Sequence, residues 1–145
     1  EGDEAKHVFQ PGEPFRIRIP FPCHEQKGDP VFGVGLYRSD GTYINGSNHL
    51  WRDDPIRLAD LTAGEEGAIE VALPRLPLLE GQYYITTFVY DHSKAAPTAI
   101  DHREHAVTFE VIDAHRSQHG MLFLPSRWEL LRQGAASETR VVSES

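Results

Sequence analysis

The 145-residue chain has a single cysteine, Cys23. No disulfide can close within the chain, and a zinc site built from several thiolates is excluded. A reducing compartment is compatible with that usage. Cationic residues are also scarce. With 14 Lys+Arg against 22 Asp+Glu the formal charge is -8, and no basic run appears. A phosphate backbone is therefore repelled, which argues against nucleic acid as a partner. No apolar stretch approaches the roughly 18 to 20 residues that span a bilayer, and Glu1 to His7 lacks the apolar core of a signal peptide. Motifs of catalysis are missing as well: there is no Gly-x-Ser-x-Gly elbow, no Gly-rich phosphate loop and no His-Glu-x-x-His. Cys23 sits in a Pro-flanked segment with no evident base.

What is present is strand patterning. Phe15-Arg16-Ile17-Arg18-Ile19-Pro20-Phe21 alternates apolar and polar positions, as a strand with one buried face does. Val31 to Arg38, Thr42 to Ile44, Ala68 to Leu73, Gln82 to Tyr90 and Ala106 to Ile112 are further strand candidates, separated by Pro and Gly turn chemistry. Asp40-Gly41 between two of them predicts a tight hairpin with positive φ at its central residues. Pro55 to Leu61 and Trp128 to Gln133 are the helical candidates. The length fits one core, so residues 1–133 are expected to form one all-β domain of about seven to nine strands, and 134–145, small and polar, a disordered tail.

Leu79-Glu80-Gly81-Gln82-Tyr83 resembles the tyrosine corner of immunoglobulin-like antiparallel β-sandwiches. If Tyr83 points inward, Ile85, Thr87 and Val89 follow it, and Tyr84, Thr86, Phe88 and Tyr90 face outward. On the neighbouring strand Phe32, Val34 and Leu36 turn inward, leaving Val31, Gly33, Gly35 and Tyr37 outside. The expected result is a glycine-floored trough edged by Tyr37, Tyr84, Phe88 and Tyr90, flanked by loop residues Asn48, Arg52, His92 and Arg103. Flat rings beside amides, imidazoles and Arg suit sugars, whose C–H faces stack and whose hydroxyls hydrogen-bond. The same exposed rings suit a covering loop or a partner chain, so a dimerisation module without glycan binding stands as the alternative. Asp91-His92 and Asp101-His102, with His105 nearby, contain metal-ligating types but not the spacing of a metal site, and solvated strand ends account for them. Asp91, Asp101 and Glu110 are the only carboxylates placed for glycosidase chemistry, and nothing pairs them. No catalytic residue, metal or cofactor is assigned.

Pro30-Val31-Phe32-Gly33-Val34, Arg38-Ser39-Asp40-Gly41, Asn45-Gly46-Ser47-Asn48, Leu78-Leu79-Glu80-Gly81-Gln82-Tyr83-Tyr84, Asp91, Phe109-Glu110-Val111 and Gly120 to Trp128 occur in one order over about Val8 to Leu130. That series resembles the C-terminal domain of the ATP-binding subunit of O-antigen polysaccharide ABC transporters, the Wzt family. The resemblance implies a sandwich that recognises the non-reducing end of the finished O-polysaccharide, at the cytoplasmic face of the inner membrane. It further implies a homodimer exchanging a final strand, here Gly120 to Leu124, and work alongside an ATP-binding domain and a membrane subunit. With no Walker-type motif here, and no initiator Met, the chain is expected to be the C-terminal domain alone.

Overall fold

The computed structural model describes residues 4–22, 30–50, 66–93, 95–115, 118–131 and 138–143. Cys23, Arg52 and the helical candidate Pro55 to Leu61 lie outside them. Seven strands follow in order: β1 Val8–Phe9, β2 Phe15–Pro22, β3 Pro30–Arg38, β4 Tyr43–Asn48, β5 Glu66–Leu73, β6 Gly81–Asp91 and β7 Thr98–Val111. They form a five-stranded sheet, β1-β7-β6-β3-β4, facing a two-stranded sheet of β2 and β5. The pairs are antiparallel except β1 against β7, which is parallel. This is the expected all-β sandwich. The described residues contain no helix. Trp128 to Leu131 carry no regular structure and are exposed, and Arg132 and Gln133 fall outside the described residues.

Alternation decides the layers. Phe15, Ile17 and Ile19 of β2 meet Leu73, Val71 and Ile69 of β5 in register and turn toward the other sheet. Arg18 and Glu70, opposite each other on the outer side, pair at 3.0 Å. One core patch gathers Phe9, Phe15, Tyr83, Ile85, Phe109 and Val111 with Leu76 and Leu78, and a second gathers Ile19, Phe32, Val34 and Ile69. Phe9, Phe15 and Phe109 sit with ring centroids 4.7 to 5.8 Å apart. Each buried ring removes about 150–250 Å² from water, so these rings carry much of the core's stability.

Tyr83 is buried, and its hydroxyl donates to the Leu79 carbonyl at 2.7 Å, closing the tyrosine corner. Burial raises its phenol pKa, and the Arg38 charge opposes that only in part. The hairpin between β3 and β4 forms where Asp40-Gly41 predicts it, with one difference. Only Gly41 takes a positive φ, 88°, while Arg38 N–H donates to Thr42 O and Gly41 N–H to Arg38 O, both at 2.9 Å. This is a three-residue loop with glycine in the left-handed position, because a tight turn centred on Ser39-Asp40 followed by Gly41 returns the chain in register.

Candidate functional site

The outer face of the five-stranded sheet is set by β3 and β6. Their register puts Gly33 opposite Phe88, Gly35 opposite Thr86 and Tyr37 opposite Tyr84, so one face collects these residues while Phe32, Val34, Leu36, Ile85 and Val89 face the core. The glycines make room for rings. A Cβ on Gly33 would stand 2.0 Å from the Phe88 ring, one on Gly35 2.9 Å from the Tyr37 ring, and one on Gly46 1.6 Å from the Tyr43 hydroxyl. The trough expected over bare glycine is thus floored by aromatic rings lying where side chains would otherwise stand.

Across the strands runs a row of four rings. Tyr43 of β4 meets Tyr37 at 5.0 Å, Tyr37 stacks on Tyr84 at 5.0 Å with planes 4° apart, and Tyr84 stacks on His105 at 3.7 Å. Since β6 lies between β3 and β7, Tyr37 and His105 cover opposite faces of Tyr84. Tyr84 therefore offers a ligand its edge rather than its face. Phe88 lies one step along, 5.5 Å from Tyr90 and 6.5 Å from His102.

A bulge in β7 brings His105 there. Ile85 pairs with Val107 but Thr87 pairs with Arg103, so Glu104, His105 and Ala106 stand opposite the single residue Thr86. His105 takes φ 50°, a left-handed value that histidine adopts more readily than most residues. Bulges of this kind re-aim side chains, and this one puts both Glu104 and His105 on the outer face. Together Tyr37, Tyr43, Tyr84, Thr86, Phe88, Tyr90, His102, Glu104 and His105 line an open groove of about 350 Å³ over Gly35. Desolvation leads, with Tyr43, Tyr84 and the Glu104 charge adding, in raising the Tyr37 phenol pKa above its ordinary value. Tyr37 is thus a neutral hydroxyl, able to donate and accept.

Of the residues singled out from sequence, the structure brings Tyr37, Tyr84, Phe88 and Tyr90 together in the groove. It does not bring Arg103 there. Arg103 is a strand residue, in register with inward-facing Thr87, and its Nε donates to Asp101 at 2.9 Å on that opposite face. Asn48 lies opposite Gly33 at the end of β4, and its Oδ1 accepts from Leu50 N–H at 3.0 Å. His92 is exposed just beyond β6 and does not line the groove. Of the carboxylates weighed for catalysis, Asp91 accepts from Ser93 N–H, Asp101 holds Arg103 and Glu110 stands opposite Gln82; none reaches the groove. Among the described residues no three His, Cys, Asp or Glu side chains group to hold a metal ion.

Sequence reasoning missed Tyr43, Glu104 and His105 as lining residues and left His102 at a strand end. Tyr43 was within reach, because the hairpin carries it across from Tyr37. The other three depend on β7 starting at Thr98 rather than Ala106 and on its bulge.

A model of the Wzt C-terminal domain family matches residues 1–124. Among solved structures, one titled "Crystal structure of the C-terminal domain of wzt" is similar at 18% identity and a TM-score of 0.61, over 85% of this chain and 74% of that one. At that identity the likeness speaks for the fold. No curated protein matches the sequence.

Proposed function

We propose, for a chain that belongs to the Wzt C-terminal domain family, that it is a non-catalytic module whose aromatic groove binds the non-reducing end of an O-antigen polysaccharide. The observation that supports this most directly is the row of rings laid over Gly33, Gly35 and Gly46 on an open sheet face. Rings packed over the glycine backbone and against one another are preorganised, so a sugar meets them without ordering them first. Phe88, Tyr90 and Tyr43 supply stacking surface, while the Tyr37 and Tyr84 hydroxyls, Glu104 and the two imidazoles select sugar hydroxyls. A shallow polar site of this kind gives a Kd on the order of micromolar to millimolar. In the full transporter the module would sit at the cytoplasmic face of the inner membrane, beside the ATP-binding domain and membrane subunit, and present finished glycan for export.

A specific feature favours chain-to-chain contact as well. Leu122, Leu124, Trp128, Leu130 and Leu131 are all exposed, Trp128 to 94%. Within the single chain, Met121 and Phe123 pair with Leu79 and Pro77, with backbone hydrogen bonds of 2.9 and 2.8 Å. The same pairing made to a second copy would give the strand-exchanged homodimer.

Saturation-transfer NMR against O-polysaccharide from the host and from an unrelated serotype tests the glycan reading. Transfer concentrated at terminal sugars of the cognate glycan is expected, and Phe88→Ala should abolish it. Tyr83→Phe, on the core side, should keep binding while lowering stability by about 1–2 kcal/mol through the lost hydrogen bond to Leu79. Absence of transfer from either glycan well above a millimolar Kd would favour the dimerisation module instead.

A further inference from the structure

We propose that the groove selects an uncharged glycan end over an anionic one, with Glu104 as the discriminating residue; this rests on the carbohydrate reading above. Three observations on different parts of the molecule converge on it. First, with imidazoles counted as neutral, the one full charge among the groove's described lining residues is the Glu104 carboxylate. The β7 bulge places it on the outer face, and it is near enough to Tyr37 to help raise the phenol's pKa.

Second, of the two arginines that the sequence offered for reading an acidic group, Arg52 lies outside the described residues and Arg103 is turned away. Arg103 stands in register with Thr87 on the other face of β7, where it pairs with Asp101 at 2.9 Å. Third, the chain as a whole carries -8, so the long-range field also opposes an approaching anion.

The chemistry follows from what a carboxylate accepts. Ionised Glu104 is an acceptor only, so it bonds hydroxyl or amide N–H donors on a sugar, and two neighbouring hydroxyls can each use one of its oxygens. The Tyr37, Tyr43 and Tyr84 rings add hydroxyls that both donate and accept, and Phe88 and Tyr90 add apolar surface. A terminal sugar bearing free, methylated or acetylated groups meets those requirements. A terminal phosphate, sulfate or uronate would set like charge beside Glu104 with no fixed cation from the described lining to offset it, and like charges at contact distance are strongly disfavoured once partly desolvated.

Oligosaccharides printed in pairs, each hydroxyl-terminated chain beside the same chain ending in phosphate or uronate, test this at about pH 8, where imidazole is neutral. In every pair that binds, the neutral member should be held about tenfold more tightly at low salt, and Glu104→Gln should shrink that ratio to about threefold or less. Circular dichroism of the variant establishes that its sheet is intact. Equal or tighter binding of the anionic members, or a ratio that Glu104→Gln leaves unchanged, overturns the inference while leaving glycan binding standing. Binding to no member of any pair, with the sheet intact, removes the carbohydrate reading itself and the inference with it.

Discussion

Gly33 separates the demands of the core from those of the groove. Its backbone is buried in the centre of the sheet, yet the space above it belongs to the far edge of the Phe88 ring, 2.0 Å from where a Cβ would stand. Gly33→Ala must therefore move Phe88. The displaced atoms are the end of a rotatable side chain, and alanine in a strand restricts the unfolded chain more than glycine does, so the stability change should stay within about 1 kcal/mol. Glycan binding, in contrast, should fall at least about tenfold, because the ring can no longer occupy the space over Gly33. Thermal unfolding and a titration on the same variant decide the matter. A variant that binds normally would mean that Phe88 is not a platform, whereas one that unfolds would mean that the ring is wedged as part of the core.

At the scale of elements, the hairpin joining β3 to β4 sets the register that aligns Tyr43 with Tyr37. Asp40 holds it from within. Its Oδ1 accepts from Thr42 N–H at 3.0 Å and its Oδ2 from Arg38 Nε at 3.1 Å. The Arg38 hydrogen bond, then those with Thr42, hold its carboxyl well below the usual carboxylate range. A depressed native pKa means that the ionised form stabilises the fold: the contribution is fully present above the unfolded value of about 3.9 and is lost as pH falls through the native value. Asp40→Asn keeps an acceptor for Thr42 but loses the charge. Its Tm should therefore lie below that of the parent at neutral pH, by a gap that is constant down to about pH 4 and closes in stronger acid. A gap independent of pH would rule out the charge as its source.

The same elements explain what could be read from the sequence. The alternation in Phe15 to Phe21, the glycines of β3 and the Tyr83 corner each have a local cause, a period of two, a missing Cβ, a hydroxyl four residues from its acceptor, and each predicted its place in the fold. β7 does not announce itself over Thr98 to His105, because its first half is exposed on both faces and has no core period to follow. Its bulges are visible only in the pairing with β6, where Val89 meets Asp101 but Tyr90 meets Ala99. Arg103, expected beside the trough, consequently lies on the other face, and Glu104, which carries no sequence signal of its own, lines the groove. Two-residue β1 was too short to carry a pattern at all, and it is held by its parallel partner.

At the scale of the whole molecule, the end of the sandwich falls between Leu124 and Pro125. From Gln118 to that point the chain is tied down. Leu122 bridges to Leu78, Phe123 covers Gly12, and the Gln118 side-chain amide both donates to Leu124 O at 2.7 Å and accepts from Leu124 N–H at 3.1 Å. Pro125 to Leu131 are exposed throughout, and the family match also ends at residue 124. Chains ending at Gln133 and at Leu124 should therefore keep the parent stability to within about 0.5 kcal/mol and bind glycan unchanged. A chain ending at His119 loses two backbone hydrogen bonds to Pro77 and Leu79 and the cover over Gly12, which together cost about 2–4 kcal/mol. If the Gly120 to Leu124 segment is also what two copies exchange, light scattering should find dimers for the chain ending at Leu124 and monomers for the chain ending at His119. A monomer ending at His119 that is as stable as the parent would show that the segment serves association alone, and a dimer lacking it would place the contact elsewhere, with the exposed aromatic groove then the first surface to examine.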